Sequence, residues 1–234
     1  METVYNNFNF KFRVELSTRP ENSMGSDEQW EAATDGLRKA LERKGWEYKI
    51  NEGDGAFYGP KIDFHLEDCI GRAWQCGTCQ LDFQLPERFE LEYDGGDGEK
   101  HRPVMVHRTV FGSIERFIGI ITEHFAGAFP LWLAPVQARV MTITGRADEA
   151  AESLVSKLRA AGIRAELDVR NEKIGFKIRQ AQNERIPYML VIGDREAESG
   201  AAAVRKRGQG EIGAMSADEI IALMQQEIAE HTIF

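Results

Sequence analysis

Long apolar runs are missing from this 234-residue sequence, and cysteine and proline are scarce. No stretch approaches the roughly 18 apolar residues that a membrane span needs, so we expect no membrane partner. The first residues show no basic segment followed by an apolar one, so no secretory signal is visible. Three cysteines are an odd number and form no closed disulfide framework, which favours a reducing, cytoplasmic location. With 42% hydrophobic and 29% charged residues, the composition predicts a globular chain with a core rather than a disordered one.

The net charge is −9, from 29 basic and 38 acidic residues, which argues against non-specific binding of nucleic acid. The charge is uneven, because positions 170–207 hold nine basic and five acidic residues, a local balance of +4. A basic patch on an acidic chain indicates a specific anionic partner. A solvated helix face explains the same charges equally well.

Strand patterns dominate the first half of the chain and lie close together. The alternation of apolar and polar residues predicts strands at 12–18, 48–50, 61–66, 73–85 and 104–111. Helices are predicted from a capping serine at 26 to about 44, with Trp30, Ala33, Leu37 and Leu41 on one face, and from 113 to 125. Neighbouring strands of this kind favour a largely antiparallel sheet.

The second half alternates strands with helices. An apolar stretch at 129–135, bounded by two prolines, is interpreted as an interdomain crossing, and we place the domain boundary between 133 and 134. Strands are predicted at 136–143, 164–169, 188–192 and 204–206, and helices at 147–161, 174–185 and 216–231. This order predicts an α/β domain with a mostly parallel sheet.

The pair Cys76 and Cys79 forms a C-x-x-C motif. A redox dithiol normally lies at a helix N-terminus, where the helix dipole lowers a thiol pKa, whereas this segment has the pattern of a strand. A four-ligand zinc site needs a second pair of ligands. The motif is therefore interpreted as part of a strand.

Three further features are weak when taken singly. The glycine-rich segment 53–59 resembles a phosphate loop, but it lacks the Gly-Lys-Ser/Thr ending and a following helix. His107 lies at the centre of a predicted strand, and a lone histidine is usually structural. Arg116 falls at the start of a predicted helix, where a guanidinium can hold a polyphosphate through bidentate hydrogen bonds.

Taken together and in order, several motifs resemble the threonyl-tRNA synthetases over nearly the whole chain. They are LSTRPE at 16–21, GAFYGPKIDF at 55–64, RAWQCGT at 72–78, HR at 107–108, GSIERF at 112–117, WLAPVQ at 132–137, DVRNEKIGFKIR at 168–179 and IPYMLV at 186–191. The resemblance implies part of a class II catalytic domain, an antiparallel sheet flanked by helices, at 1–133. It implies an α/β anticodon-binding domain at 134–234.

The implied activity is that of a threonine–tRNA ligase, which activates threonine with ATP and magnesium to threonyl-adenylate and esterifies threonine tRNA. The family acts as a homodimer and uses a catalytic zinc that binds the amino group and hydroxyl of threonine. Valine has no hydroxyl to bind such a zinc. A site that requires this ligand therefore excludes valine more strongly than an apolar pocket alone would. The implied roles are ATP-phosphate binding by Arg116, adenylate contacts by Gln75 and Thr78, threonine contacts by Tyr58 and Gln80, and zinc ligation by His107.

The strand alternation agrees with these roles only in part. On a regular strand Gln75 and Cys79 share one face, while Thr78 and Gln80 share the other. A bulge or loop entry near Gly77 would bring Gln75 to the same face as Thr78 and Gln80.

The resemblance also implies an anticodon site in the second domain. The matching positions are Asn171, Lys173, Arg179, Glu196 and Arg205. Amide, guanidinium and carboxylate groups read the edges of unstacked loop bases, and the basic segment 170–207 is where a phosphate-facing patch is expected.

The sequence also departs from the family pattern. Class motifs one and two are absent, and with them the main dimer interface, an ATP-binding arginine and the cysteine and histidine that complete the zinc site. The editing domains are absent as well. One histidine does not hold a catalytic zinc, which needs about three protein ligands. We therefore expect a synthetase fragment, and two alternatives stay open: a stand-alone tRNA-binding module without aminoacylation, and a synthetase-derived regulator that binds another RNA.

Overall fold

The computed structural model describes residues 1–233, which form two compact units, Met1–Glu123 and a second unit that begins at His124. The break between the two units lies before the domain boundary predicted between 133 and 134. That boundary stays a prediction, because it concerns the functional domains rather than the compact units. The proline-bounded stretch 129–135 lies within the second unit, where Arg164 donates hydrogen bonds to the carbonyls of Trp132 and Ala134 at 3.0 and 2.9 Å. No helix in these described residues has the length and apolar character needed to cross a membrane.

The first unit places four helices around one five-stranded sheet and a small hairpin. Its helices are α1 Glu2–Asn7, α2 Asp27–Lys44, α3 Gln84–Arg88 and α4 Ile114–His124. Its strands are β1 Phe12–Ser17, β2 Lys49–Asn51, β3 Lys61–Glu67, β4 Ala73–Asp82, β5 Tyr93–Asp94, β6 Lys100–His101 and β7 Met105–Thr109. The main sheet has the order β2-β1-β3-β4-β7, and β5 pairs with β6. All pairs in the main sheet are antiparallel, as expected, except that β1 and β2 run parallel.

Local chemistry explains the length of α2. The Ser26 hydroxyl accepts a hydrogen bond from the Gln29 amide, and the Gln29 side chain accepts one from the Ser26 amide, which is a capping box. The helix ends at Gly45, whose φ of 71° is the left-handed conformation that glycine adopts without steric cost. The predicted apolar face is confirmed, since the buried residues of α2 are Trp30, Ala33, Leu37 and Leu41.

The two faces of the main sheet differ in chemistry because side chains alternate along each strand. The apolar face is buried and carries Val14, Leu16, Ile62, Phe64 and Leu66. The indole of Trp46 packs edge-on against Phe64, with ring centroids 5.6 Å apart. The opposite face carries polar residues, among them Ser17, Lys61 and Asp63.

A β-bulge interrupts the pairing of β3 with β4. Phe64 lies opposite Gly77 and His65 lies opposite Gln75, so Cys76 is an extra residue on β4. Beyond the bulge, Thr78 lies opposite Asp63. Because directly opposed residues project to the same face of a sheet, Gln75 and Thr78 share the polar face. The bulge expected near Gly77 is confirmed.

The second unit is an α/β sandwich. Its strands are β8 Ala138–Thr142, β9 Ala165–Asp168, β10 Tyr188–Ile192, β11 Ala201–Lys206 and β12 Gly210–Ser216. Its helices are α5 Asp148–Ala160, α6 Ile174–Asn183, α7 Asp194–Ser199 and α8 Ala217–Ala229, and a 3₁₀ turn spans Gly145–Ala147. The sheet order is β12-β11-β10-β8-β9. The strands β9, β8 and β10 run parallel, as expected, while β11 and β12 add an antiparallel hairpin at one edge.

Helices cover both faces of this sheet. The helices α5 and α8 pack on one face, where the core includes Leu154, Leu158, Ile220 and Met224. The helix α6 packs on the other face around Met141, with Ile174 and Ile178 against the core. Every residue of β8 and β10 is buried, as expected for parallel strands covered on both sides.

Candidate functional site

One buried carboxylate organises the polar face of the first unit. Asp63 on β3 is 1% exposed. Its Oδ1 accepts hydrogen bonds from Gln75 Nε2 at 2.5 Å and from the Thr78 hydroxyl at 2.9 Å. Its Oδ2 accepts from the Ser17 hydroxyl at 2.8 Å and from Lys61 Nζ at 2.6 Å. Four side chains from three strands are therefore held around a single carboxyl group.

Lys61 supplies a fixed positive charge on this face. Its Nζ lies 2.6 Å from Asp63 Oδ2 and 3.2 Å from Asp54 Oδ2. Burial disfavours the charged ammonium, but the hydrogen bonds and negative charges of Asp63 and Asp54 outweigh burial and raise the pKa of Lys61. The side chain therefore stays cationic at neutral pH, and the two carboxylates balance its charge.

A second hydrogen-bonded pair lies farther along β4. The Tyr58 hydroxyl donates to Gln80 Oε1 at 2.9 Å. Gln80 is 8% exposed, and its Nε2 has no hydrogen-bond partner among residues 1–233. Tyr58 is positioned by Gly59, where a Cβ would come within 1.9 Å of the Leu81 carbonyl oxygen. The loop therefore approaches β4 closely, and Gln80 Nε2 is a buried N–H donor without a partner among residues 1–233.

His107 on β7 lies opposite Gln80 across the sheet. Its Nε2 is 2.8 Å from Oδ2 of Asp82, a carboxylate with no exposed surface. The other oxygen of Asp82 accepts hydrogen bonds from the Gln84 and Leu85 amides at 2.8 and 3.0 Å. The imidazole is thus held in one orientation, with Nδ1 as its remaining nitrogen.

The residues present do not complete the implied zinc site. No three histidine, cysteine, aspartate or glutamate side chains come together as a metal centre within residues 1–233. His107 already uses Nε2 toward Asp82. A catalytic zinc needs about three protein ligands, so the structure gives no basis for a step through this metal on the described chain alone.

Arg116 lies in the first turn of α4 and contacts β4 at Gln75. Its Nη2 donates a hydrogen bond to the Gln75 carbonyl oxygen at 2.6 Å. The Ser113 hydroxyl accepts from the Arg116 amide at 3.3 Å and so caps the helix start. The predicted phosphate-binding arginine is therefore adjacent to Gln75, one of the two predicted adenylate residues.

An open cleft of about 640 Å³ connects these groups. Its lining comes from β3, β4, β7 and the 53–59 loop, and consists of Ala56, Lys61, Gln75, Thr78, Gln80, Val106, His107, Arg108 and Thr109. The cleft therefore brings together four of the six residues predicted for the catalytic part, and Tyr58 and Arg116 each bond to one of its lining residues.

Sequence reasoning missed three groups of this site: Lys61, Asp63 and Asp82. The alternation of Lys61, Ile62 and Asp63 on β3 was a usable signal, because it places two opposite charges on the face away from the core. Asp82 gave no comparable signal, since a carboxylate at the end of a strand is usually a turn residue.

The C-x-x-C pair lies on β4 as predicted. Cys76 is buried and Cys79 is partly buried. Burial raises the pKa of both thiols, although Arg116 and Arg108 act in the opposite direction on Cys76 and Cys79, respectively. Raised pKa values favour the unreactive thiol form.

The five predicted anticodon residues are distributed over three elements of the second unit. Asn171 and Lys173 precede α6 and Arg179 lies on it, and all three are exposed. Glu196 lies in α7, where its carboxylate accepts a hydrogen bond from the Gly193 amide at 3.0 Å. Arg205 lies on β11 and pairs with Glu211 at 3.0 Å. No hydrogen bond among residues 1–233 joins these five side chains to one another, so the structure arranges them around one sheet without forming a closed cluster.

Comparisons with known proteins match both units. The family described as "tRNA synthetase class II core domain (G, H, P, S and T)" matches residues 1–125. The family described as "Anticodon binding domain" matches residues 137–227.

Curated relatives match nearly the whole chain. Threonine--tRNA ligase of Desulforamulus reducens is 66% identical over 98% of this chain and 36% of its own length. Threonine--tRNA ligase of Clostridium novyi is 64% identical over 99% of this chain and 36% of its own length. The chain thus spans about a third of the length of these relatives.

Solved structures agree with the sequence relatives. The RNA binding domain of threonyl-tRNA synthetase from Cryptosporidium parvum Iowa II matches with a TM-score of 0.92 and 40% identity, over 96% of this chain and 57% of that one. A putative threonyl-tRNA synthetase from Aeropyrum pernix matches with a TM-score of 0.72 and 30% identity, over 94% of this chain and 54% of that one. The chain therefore belongs to the class II aminoacyl-tRNA synthetase family, and within it to the sequences related to the threonine--tRNA ligases.

Proposed function

We propose that this chain supplies part of the active site and the anticodon-binding domain of a cytoplasmic threonine–tRNA ligase. The observation that carries the proposal is the arrangement on one sheet face: Gln75 and Thr78 share the Asp63 carboxylate, and Gln80 and His107 face the same cleft. In the proposed reaction the threonine carboxylate attacks the α-phosphorus of ATP, held with magnesium, and gives threonyl-adenylate and pyrophosphate. A hydroxyl of the tRNA then takes the threonyl group, and AMP leaves.

The residues predicted for the catalytic part each have a proposed task at the cleft. Arg116 binds the ATP phosphates, where a fixed cation stabilises the charge that develops as pyrophosphate leaves. Gln75 and Thr78 contact the adenylate from positions fixed by Asp63. Gln80 donates its unpaired N–H to threonine, while Tyr58 holds the amide in that orientation.

His107 remains a proposed zinc ligand. If zinc were bound by His107 together with ligands from outside this chain, it would supply a Lewis acid able to accept the threonine amino and hydroxyl groups as ligands. The described residues supply no set of three ligands, so we assign no step to the metal here. Homodimer formation of the parent protein is also proposed, from the family resemblance of the sequence alone.

Anticodon recognition is proposed for Asn171, Lys173, Arg179, Glu196 and Arg205. Three of them lie along α6 and its preceding loop, within the basic segment 170–207. Amide and guanidinium groups on exposed positions fit the edges of unstacked bases.

Two assays on the same chain test the proposal: filter binding of threonine tRNA against a non-cognate tRNA, and threonine-dependent pyrophosphate exchange with ATP, magnesium and zinc. Exchange that disappears in Arg116→Ala, but persists in the surface control Arg38→Ala, supports the ligase. Equal, weak binding of both tRNAs together with no exchange would overturn the proposal.

The second candidate is a tRNA-binding module without aminoacylation, which the incomplete metal site favours for the isolated chain. Selective tRNA binding without exchange supports this candidate. Adding the part of the Desulforamulus reducens relative that this chain does not cover, as a separate chain, then distinguishes the two. Restored exchange shows a catalytic fragment, and its continued absence favours the binding module.

A further inference from the structure

The exposed apolar side chains of the second unit are concentrated at one edge of its sheet. Among the described residues of this unit, the large hydrophobic side chains that are exposed are Ile143, Val169 and Phe176. Ile143 directly follows β8, Val169 directly follows β9, and Phe176 lies in the first turn of α6. All three therefore lie near the carboxyl ends of parallel strands, the edge where open α/β sheets usually bind ligands.

A buried lysine ties this edge together. Lys177 is 1% exposed, and its Nζ donates hydrogen bonds to the carbonyls of Thr142 at 2.9 Å and Asp168 at 3.1 Å. Each exposed apolar residue is the immediate chain neighbour of one of these three residues. One ammonium group thus holds the two strand ends and the start of α6 close to one another.

Phe176 has no role in the core. The helix α6 packs on the sheet through Ile174 and Ile178. Phe176 is two residues from each, which places it about 200° around the helix from them. The residue is 52% exposed. Folding alone does not account for an aromatic side chain at this position.

Two cations flank this ring. Lys173 and Arg179 are three residues before and after Phe176, a spacing that places side chains on one side of a helix. Both are exposed, and neither has an ion-pair partner in the part of the chain that the structure describes. By contrast, Arg170 at the same edge is neutralised by Asp168 at 2.6 Å. The exposed ring thus lies between free positive charges.

A carboxylate, that of Glu196, lies beside Ile143. The side chains of Ile143 and Glu196 both approach Gly193, with Cδ1 and Oε2 at 3.0 and 2.9 Å from the position that a Cβ would take there. The edge therefore offers apolar contact, a carboxylate acceptor and free cations together. A nucleobase with its phosphate needs this combination, because the base stacks on a ring and the phosphate pairs with a cation.

We propose that Phe176, supported by Ile143 and Val169, is a stacking platform for an unstacked base of an RNA loop. The inference rests on the proposed function and adds to it residues that contact the base through its face rather than its edge. An acidic protein segment would suit the cations but would leave the exposed ring without a partner.

The test is equilibrium binding of threonine tRNA to the full chain, for wild type and for Phe176→Ala. Loss of one stacked base predicts affinity lower by about 5- to 150-fold. Phe176→Tyr keeps the ring and is expected to bind like wild type. Phe89→Ala removes an equally isolated ring of the first unit, 68% exposed, and is the matched control.

Salt dependence separates stacking from charge. Phe176→Ala should leave the slope of log affinity against log salt unchanged, whereas Lys173→Ala should reduce its magnitude by about one. Threonine tRNAs with 2-aminopurine at successive anticodon-loop positions give a direct readout. One position should be quenched on binding to wild type and not on binding to Phe176→Ala.

Wild-type affinity in Phe176→Ala, or quenching that is the same in both proteins, overturns the platform while leaving tRNA binding in place. Polyglutamate is the probe for an acidic protein partner. If Phe176→Ala loses binding to polyglutamate but keeps the wild-type affinity for threonine tRNA, the platform is overturned in favour of a protein partner. If wild type binds threonine tRNA no better than an unstructured RNA, both the platform and the proposed function are wrong.

Discussion

Thr78 and Asp63 face each other across β4 and β3, and the Thr78 hydroxyl donates a hydrogen bond to Asp63 Oδ1 at 2.9 Å. The bulge at Cys76 brings Gln75 to the same carboxylate oxygen. Asp63 thus sets the positions of side chains proposed to bind the adenylate, although its own surface is almost entirely hidden.

Asp63→Asn is expected to destabilise the first unit by about 1.5–3 kcal/mol, the range for buried hydrogen bonds to a charged group. The amide group cannot accept on both atoms, so some of the four donors lose their partner. Urea unfolding measures the change. The control is Asp54→Asn, which removes the more exposed partner of Lys61 and should have a smaller effect; equal effects would contradict the central role of Asp63.

Gly77→Ala is expected to destabilise the chain by about 1–3 kcal/mol through overpacking. A Cβ at this position would lie 2.3 Å from the Tyr5 hydroxyl, which itself donates to the Val110 carbonyl at 2.6 Å. The double variant with Tyr5→Phe should lose less than the sum of the two single variants. Strict additivity in thermal unfolding would show that the clash is absent, and Gly96→Ala, with open space around it, serves as the neutral control.

Arg170→Met is expected to lower the stability of the second unit at neutral pH but not at low pH. The hydrogen bonds from Arg170 lower the pKa of Asp168, although burial acts in the opposite direction. A lowered folded-state pKa contributes stability above the unfolded value of about 4. That contribution is lost as pH falls through the folded-state pKa.

Urea midpoints of wild type and Arg170→Met should therefore differ at pH 7 and converge in acid. The control Arg146→Met removes a pair in which the arginine is 79% exposed, and it should have little effect at either pH. A difference between wild type and Arg170→Met that stays constant from neutral to acid pH would refute the assignment to this ion pair.

Arg205→Ala is expected to weaken binding of threonine tRNA by about 1–3 kcal/mol, the range for one lost bidentate contact to a base edge. The structure leaves Arg205 Nε without a hydrogen-bond partner among residues 1–233, while Nη1 pairs with Glu211. Filter binding at fixed salt measures the effect, with Arg38→Ala as the control. Unchanged affinity would remove Arg205 from the site.

Thiol titration of the native chain with Ellman's reagent is expected to show one cysteine that reacts fast. Cys69 is exposed, whereas burial raises the pKa of Cys76 and Cys79 and so lowers their thiolate fraction. Ellman's reagent should modify the other two only slowly until the chain is unfolded in guanidinium. Two or three fast thiols in the native protein would contradict the packing of β4.

Much of the fold was predictable where local signals were strong. The start of α2 followed from Ser26 and Gln29, and its end from Gly45, because caps and stops are encoded within a few residues. The continuous apolar run at 188–192 likewise predicted β10 correctly. The short helix α1 was missed, since six residues with one buried side chain, Tyr5, show no helical period.

The strand β12 was missed for another reason. Its sequence is rich in glycine, and Gly213 has a φ of 119°, so propensity argues against a strand. Pairing with β11 decides its conformation instead. In the cleft, the resemblance supplied Gln75 and Thr78, but their shared partner Asp63 depends on a register that sequence alternation does not specify.

The extra residue in β4 has a consequence for chain length. Because Gln75 already lies opposite His65 and Gly77 opposite Phe64, deletion of Cys76 would leave both pairs in register. Deletion of a residue between Thr78 and Gln80 that kept the bulge would instead shift one part of the strand by a single position, and side chains of that part would exchange the core face for the cleft face. Within this stretch, a chain one residue shorter could keep the same cleft only by losing the bulge.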